Sequence, residues 1–181
     1  NPDGTVTRAE FLKMAMDSFG IVGHAYRDGE CLDATNDDWY CYYLQGALDK
    51  DIIPKEMIEN CNVTKVTKTL AEATDDKKAV TTDVNVYTGK FDGDKPITRE
   101  EMAAIAVRCK NYKMRRLTDW DNERRYPIFS FKDSDEIDEK YISDVVEAYN
   151  LNYIDGMEDG RFAPKENLTR AQAAVVMNNL K

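Results

Sequence analysis

One five-residue pattern occurs three times in this chain and limits what it can fold into. Val6-Thr7-Arg8-Ala9-Glu10, Ile97-Thr98-Arg99-Glu100-Glu101 and Leu168-Thr169-Arg170-Ala171-Gln172 share one grammar: apolar, Thr, Arg, small or acidic, Glu or Gln. An apolar run follows each copy. The flanks repeat as well. Gly89-Lys90-Phe91 stands before Arg99 at the spacing with which Gly160-Arg161-Phe162 stands before Arg170, and Pro2-Asp3-Gly4 fills the corresponding turn before Arg8. Such repetition points to related units packed together.

Each copy reads as a helix start. Thr before a run of helix formers is an N-cap whose hydroxyl accepts a first-turn N–H. Glu or Gln three positions on completes a capping box, pairing Thr7 with Glu10, Thr98 with Glu101 and Thr169 with Gln172. Phe11, Leu12, Ala15 and Phe19 then recur at helical spacing, as do Met102, Ile105 and Ala106, and Ala173, Val176, Met177 and Leu180. The arginine goes against this local logic, because a cation at the first helical position opposes the helix dipole. Two roles remain open for it on residues alone: holding an acidic ligand, or pairing with a carboxylate of a neighbouring unit.

The pattern resembles the S-layer homology motif. Phe131-Lys132-Asp133, Tyr141-Ile142, Ile154-Asp155-Gly156, Asp159-Gly160-Arg161-Phe162-Ala163-Pro164 and Leu168-Thr169-Arg170-Ala171-Gln172 follow that motif in order. Leu32-Asp33, Trp39-Tyr40, Ala47-Leu48 and Ile52-Ile53 follow it before a break that ends at Phe91. The resemblance divides the chain into four stretches. Residues 1–23 form the second half of a first repeat, and residues 31–109 a second repeat interrupted at about 55–88. Residues 110–130 are a linker and residues 131–181 a third repeat.

It implies a mainly α fold, a pseudo-threefold helical repeat bundle. It also implies an extracellular place at the bacterial cell surface or wall, and an acidic, often pyruvylated, secondary cell-wall polysaccharide as ligand. Arg8, Arg99 and Arg170 would contact that polymer, with Trp39 and Tyr141 as groove aromatics or core. A guanidinium grips a carboxylate through two parallel hydrogen bonds, a geometry that Lys does not reproduce.

Four cysteines, Cys31, Cys41, Cys61 and Cys109, occur without a Cys-x-x-Cys pair and beside a single histidine, His24, so no metal site is expected. In a wall-associated protein an even count favours disulfides. The preferred pairing is Cys31–Cys41 with Cys61–Cys109, and buried thiols are the alternative. Within the interruption, Val63 to Thr69 and Ala79 to Tyr87 alternate β-branched and polar residues around a charged turn, which predicts an inserted β-hairpin. The helix expected from Trp39 to Asp49 carries Tyr43, Leu44, Ala47 and Leu48 inward, with Trp39 either inward or a platform for sugar. The linker mixes Lys110, Lys113, Arg115, Arg116, Arg124 and Arg125 with Trp120, Tyr126 and acids, and reads as a solvated, self-paired run.

A net charge of −9 argues against general nucleic-acid binding and against adsorption to an anionic membrane. No paired catalytic carboxylates, phosphate loop or nucleophile elbow can be picked out, so no enzyme and no cofactor is expected. Asp33 to Asp38 and Asp133-Ser134-Asp135 lack the Gly and Glu of a calcium loop. Two functions follow. One is a non-catalytic anchor that binds wall polysaccharide for a longer protein. The other is a self-associating assembly module of a surface layer or filament, completed by a neighbouring chain segment, with the arginines as structural ion pairs.

Overall fold

A computed structural model describes residues 1–23, 30–35, 37–71, 78–115 and 131–180. His24 and most of the expected linker, including Trp120 and Tyr126, lie outside them. The described residues form helices α1 (Arg8–Ser18), α2 (Cys41–Leu48), α3 (Arg99–Arg115), α4 (Ile142–Asn150) and α5 (Arg170–Asn179). A two-residue ribbon pairs β1 (Glu30–Cys31) with β2 (Ala34–Thr35), and a long hairpin pairs β3 (Glu59–Ala71) with β4 (Val80–Lys90). The mainly helical class and the hairpin are as the sequence predicts. The hairpin runs further than the alternation suggested, from the pair Glu59–Lys90 to the pair Ala71–Val80.

The capping boxes on Thr7 and Thr169 form on both sides. Thr98 makes the same two bonds with Glu101, at 3.2 and 3.4 Å. Three helices also end alike. Gly20, Asp51 and Asn152 adopt φ of 61°, 53° and 56°, and Ile21, Ile52 and Tyr153 after them donate back to Met16, Ala47 and Ala148 carbonyls at 2.8, 2.9 and 2.9 Å. This left-handed stop satisfies carbonyls that the helix itself leaves unpaired. Glycine takes it without steric cost, whereas Asp51 does not.

The helix starts meet at a closed exchange of backbone bonds. Val6 N–H donates to Leu168 O at 3.0 Å, Leu168 N–H to Ile97 O at 2.9 Å, and Ile97 N–H to Val6 O at 3.0 Å. The next N–H groups close a second ring that runs in the opposite sense. Arg8 and Ala9 donate to Lys95 and Gly93, Arg99 and Glu100 to Glu166 and Pro164, and Arg170 and Ala171 to Gly4 and Pro2. Around this junction one core gathers Phe11, Leu12, Phe91, Ile97, Ile105, Phe162 and Leu168, each fully buried. Helices α3 and α4 are tied by Arg108–Asp144 at 3.2 Å and Lys110–Glu147 at 3.1 Å.

Two expectations are corrected here. The proposed disulfides are absent: Cys41, Cys61 and Cys109 are free thiols. Cys109 is fully buried on α3, and burial pushes its thiol well above the ordinary value; burial also raises that of Cys41. Both behave as small hydrophobes. Helix α2 also starts at Cys41, so Trp39 falls before it and is 53% exposed instead of facing inward.

Asp51 sits exposed in a left-handed stop beside the negative end of α2. Asp51→Gly should therefore raise unfolding free energy by about 0.5–1 kcal/mol in denaturant titration. Asn152→Gly should gain less, since Asn tolerates that conformation; the reverse order would contradict this account.

Candidate functional site

The three repeated arginines share a backbone position and differ in surroundings. Arg8 is 6% exposed. Its Nη1 donates to Phe91 O at 2.7 Å, and its Nε donates to Glu101 Oε2 at 3.1 Å. Nη2 pairs with Glu101 Oε1, which completes a two-pronged ion pair between α1 and α3. The guanidinium also lies 5.9 Å from the Phe91 ring.

Arg99 is equally buried, at 6% exposure. Its Nε donates to Phe162 O at 2.7 Å and its Nη2 to Asp155 O at 2.8 Å, and its guanidinium lies 5.2 Å from the Phe162 ring. Among the described residues it has no carboxylate within ion-pair distance. Burial accordingly draws it below the ordinary arginine value, while Glu166, Asp133 and Asp155 oppose that shift from further away.

The turns these two arginines hold are themselves built by an aspartate. Asp33 accepts from Phe91 and Asp92 N–H at 2.7 and 2.9 Å, and Asp133 accepts from Phe162 and Ala163 N–H at 2.8 Å each. The second residue of each pair stands at positive φ, 55° for Asp92 and 58° for Ala163. One carboxylate thus fixes the donors of a strained turn and one guanidinium fixes its carbonyl.

Among the described residues no turn carbonyl accepts from the Arg170 side chain. Its side chain is 56% exposed, and its Nη1 reaches only Glu10 Oε1 at 3.4 Å. It shares a cleft of about 340 Å³ with Trp39, Glu10, Lys13 and Met14. Arg99 lines a second cleft of about 200 Å³ with Tyr153, Asp155, Gln172, Val175 and Asn179.

Of the residues picked from sequence, Arg170 and Trp39 come together on an accessible cleft, and Arg99 lines another. Arg8 lies apart, locked to Glu101. Tyr141 is a core residue, 2% exposed, because the turn before α4 carries it inward, and burial raises its hydroxyl well above the ordinary value. Sequence reasoning missed Glu101, Asp33 and Asp133 as partners. The shared Asp upstream of each Phe was the available signal.

This geometry defines a class, a helical repeat module with an arginine at each of three related helix starts, two of them buried and one open. Residues 130–174 match the S-layer homology domain, and the chain belongs to that family. Proteins with this domain occur at the bacterial cell surface, and that is where the chain belongs. Over 179 residues it is 32% identical to an amylopullulanase of Thermoanaerobacterium thermosulfurigenes, covering 99% of this chain and 8% of that protein. It is also 32% identical over 182 residues to the exoglucanase XynX of Acetivibrio thermocellus, covering 99% of this chain and 13% of that protein. A Bacillus endoglucanase is 37% identical over 102 residues, covering 54% of this chain and 10% of its own length. The chain thus spans a small fraction of the length of these relatives.

Breaking a buried pair strands a charge, at a typical cost of about 3–5 kcal/mol. Arg8→Ala should lower stability by that order in chemical denaturation, whereas Arg170→Ala should change it by no more than about 0.5 kcal/mol. Equal effects at the two positions would refute the division into structural and free arginines.

Proposed function

We propose that this chain is a non-catalytic module that anchors a longer surface protein by binding an acidic secondary cell-wall polysaccharide. The observation that carries the reading is Arg170 beside Trp39, both more than half exposed, on one cleft. A planar cation and an aromatic face suit a sugar that bears a carboxylate, the guanidinium for the acid and the ring for the apolar face of the pyranose. Arg99 offers a second, narrower contact. Arg8, already satisfied by Glu101, is given a structural role and Tyr141 a place in the core.

The cyclic exchange among the three helix starts supports treating the units as pseudo-threefold equivalents, with clefts falling at their seams. Family membership supports the ligand class, since S-layer homology domains bind secondary cell-wall polymers. The relatives are named as enzymes, yet the matched stretch is 8% to 13% of the two that align along nearly the whole chain, as suits an accessory module. Among the described residues the buried carboxylates Glu100, Glu101, Asp133 and Asp144 are each engaged with a cation or with backbone N–H groups, which supports a non-catalytic reading.

A second reading is assembly through a neighbouring segment, which would meet the open cleft where the Arg170 side chain is more than half exposed.

Binding of purified wall polysaccharide, measured by calorimetry, should weaken about tenfold on Arg170→Ala and by a similar factor on Trp39→Ala, at unchanged helicity. Undiminished binding by the double variant would overturn the anchoring role. Concentration-dependent oligomers that ignore the polysaccharide would favour assembly instead.

A further inference from the structure

The inserted hairpin extends from the core as a two-stranded ribbon. At its base Tyr87 packs against the core, and its hydroxyl donates to Leu48 O at 3.4 Å. Beyond the base it runs through eight uninterrupted pairs, from Asn62–Thr88 to Thr69–Thr81, with a register irregularity at each end. At about 3.4 Å per residue this is roughly 25 Å of regular ribbon. Among the described residues β3 pairs with β4 alone, and the residues from Thr64 to Thr67 are exposed. Two strands by themselves are marginal in water, and further strands make such a sheet stable.

Directly opposed residues of an antiparallel pair share a face. Val66 opposes Val84 and Thr64 opposes Val86, so three valines lie on the face opposite the one that bears Tyr87. Val66 and Val86 are 39% and 38% exposed. The Tyr87 face carries Lys65 and Asp83, which pair at 3.0 Å, and Thr67 Oγ1 donates to Asp83 at 2.8 Å. Lysine on an edge strand ordinarily repels a second strand, and here Asp83 offsets that charge within the ribbon. The β4 edge is less open, since β1 lies beside it.

From this we infer that β3 is an interface strand whose partner is β3 of a second copy of this chain, paired antiparallel about a two-fold axis at Val66. That register sets Val66 against the partner's Val66, and Lys65 against the partner's Thr67. Val84, Val66, the partner's Val66 and the partner's Val84 then form one stripe across four strands. On the other face Lys65 lies between its own Asp83 and the partner's Asp83, so the charges are complementary. A slip of one residue would set Lys65 against the partner's Lys68 and turn the valines away from each other. A closed two-fold pairing of like surfaces is the commonest way for identical chains to meet. The inference is independent of the polysaccharide reading, because Arg170 and Trp39 take no part in it.

Sedimentation velocity of the 181-residue chain, taken up to about 1 mM, should show monomer passing to dimer and no larger species. Val66→Lys puts two cations face to face at the axis and should weaken the dimer by about tenfold or more, at an unchanged far-ultraviolet spectrum. Val66→Ile keeps the apolar stripe and should dimerise at least as tightly as the parent. Arg170→Ala should leave the dimer unchanged, which distinguishes it from assembly at the Arg170 cleft. A chain that stays monomeric throughout would overturn the inference. So would a Val66→Lys dimer as tight as the parent's, an equal loss in Val66→Ile, or a dimer lost in Arg170→Ala.

Discussion

Everything in this fold depends on where three helices find partners for their first N–H groups. A helix leaves four such donors unpaired, and a core that buries them unsatisfied is unstable. Here Thr and the third-position Glu or Gln satisfy part of the set, and turn carbonyls from another unit satisfy the rest. No helix start is complete on its own. Each needs the turn of one neighbour and lends its own turn to another, so the units assemble together.

This dependence explains an arginine in a place where the helix dipole disfavours it. The turn delivered to the helix start brings a carbonyl, Phe91 O or Phe162 O, within 2.7 Å of the guanidinium. The aspartate behind that turn holds two N–H groups and a residue at positive φ, so the carbonyl is aimed before the arginine arrives. Charge-assisted bonds to a preset acceptor outweigh an unfavourable dipole term of less than about 1 kcal/mol. Of the two readings that the sequence left open for the arginine, pairing with a carboxylate of a neighbouring unit is the one seen at Arg8.

What was legible in the sequence was local. Capping boxes and the alternation of the hairpin depend on residues a few positions apart, and each appears where its pattern lies. The long-range choices were not legible. Glu101 lies 93 positions from Arg8, and nothing in a Thr-Arg-x-x-Glu pattern says which neighbour its second oxygen will meet. Trp39 was ambiguous because aromatic spacing around it fits a helix that in fact begins two residues later. The disulfide expectation drew on compartment and count, while the actual geometry puts Cys109 at the centre of a buried helix and Cys61 on the hairpin.

Because the cycle is made by backbone bonds, side chains at the seams are free to diverge without undoing it. Val6, Ile97 and Leu168 keep the exchange, yet their seams differ in charge: Arg8 is neutralised, Arg99 is buried without an acid, and Arg170 is open with a weak partner. A single two-fold interface offers no such latitude, since one change there is felt on both sides. The Glu-to-Gln difference between Glu101 and Gln172 shows that latitude, an oxygen replaced by a nitrogen with the cap kept intact.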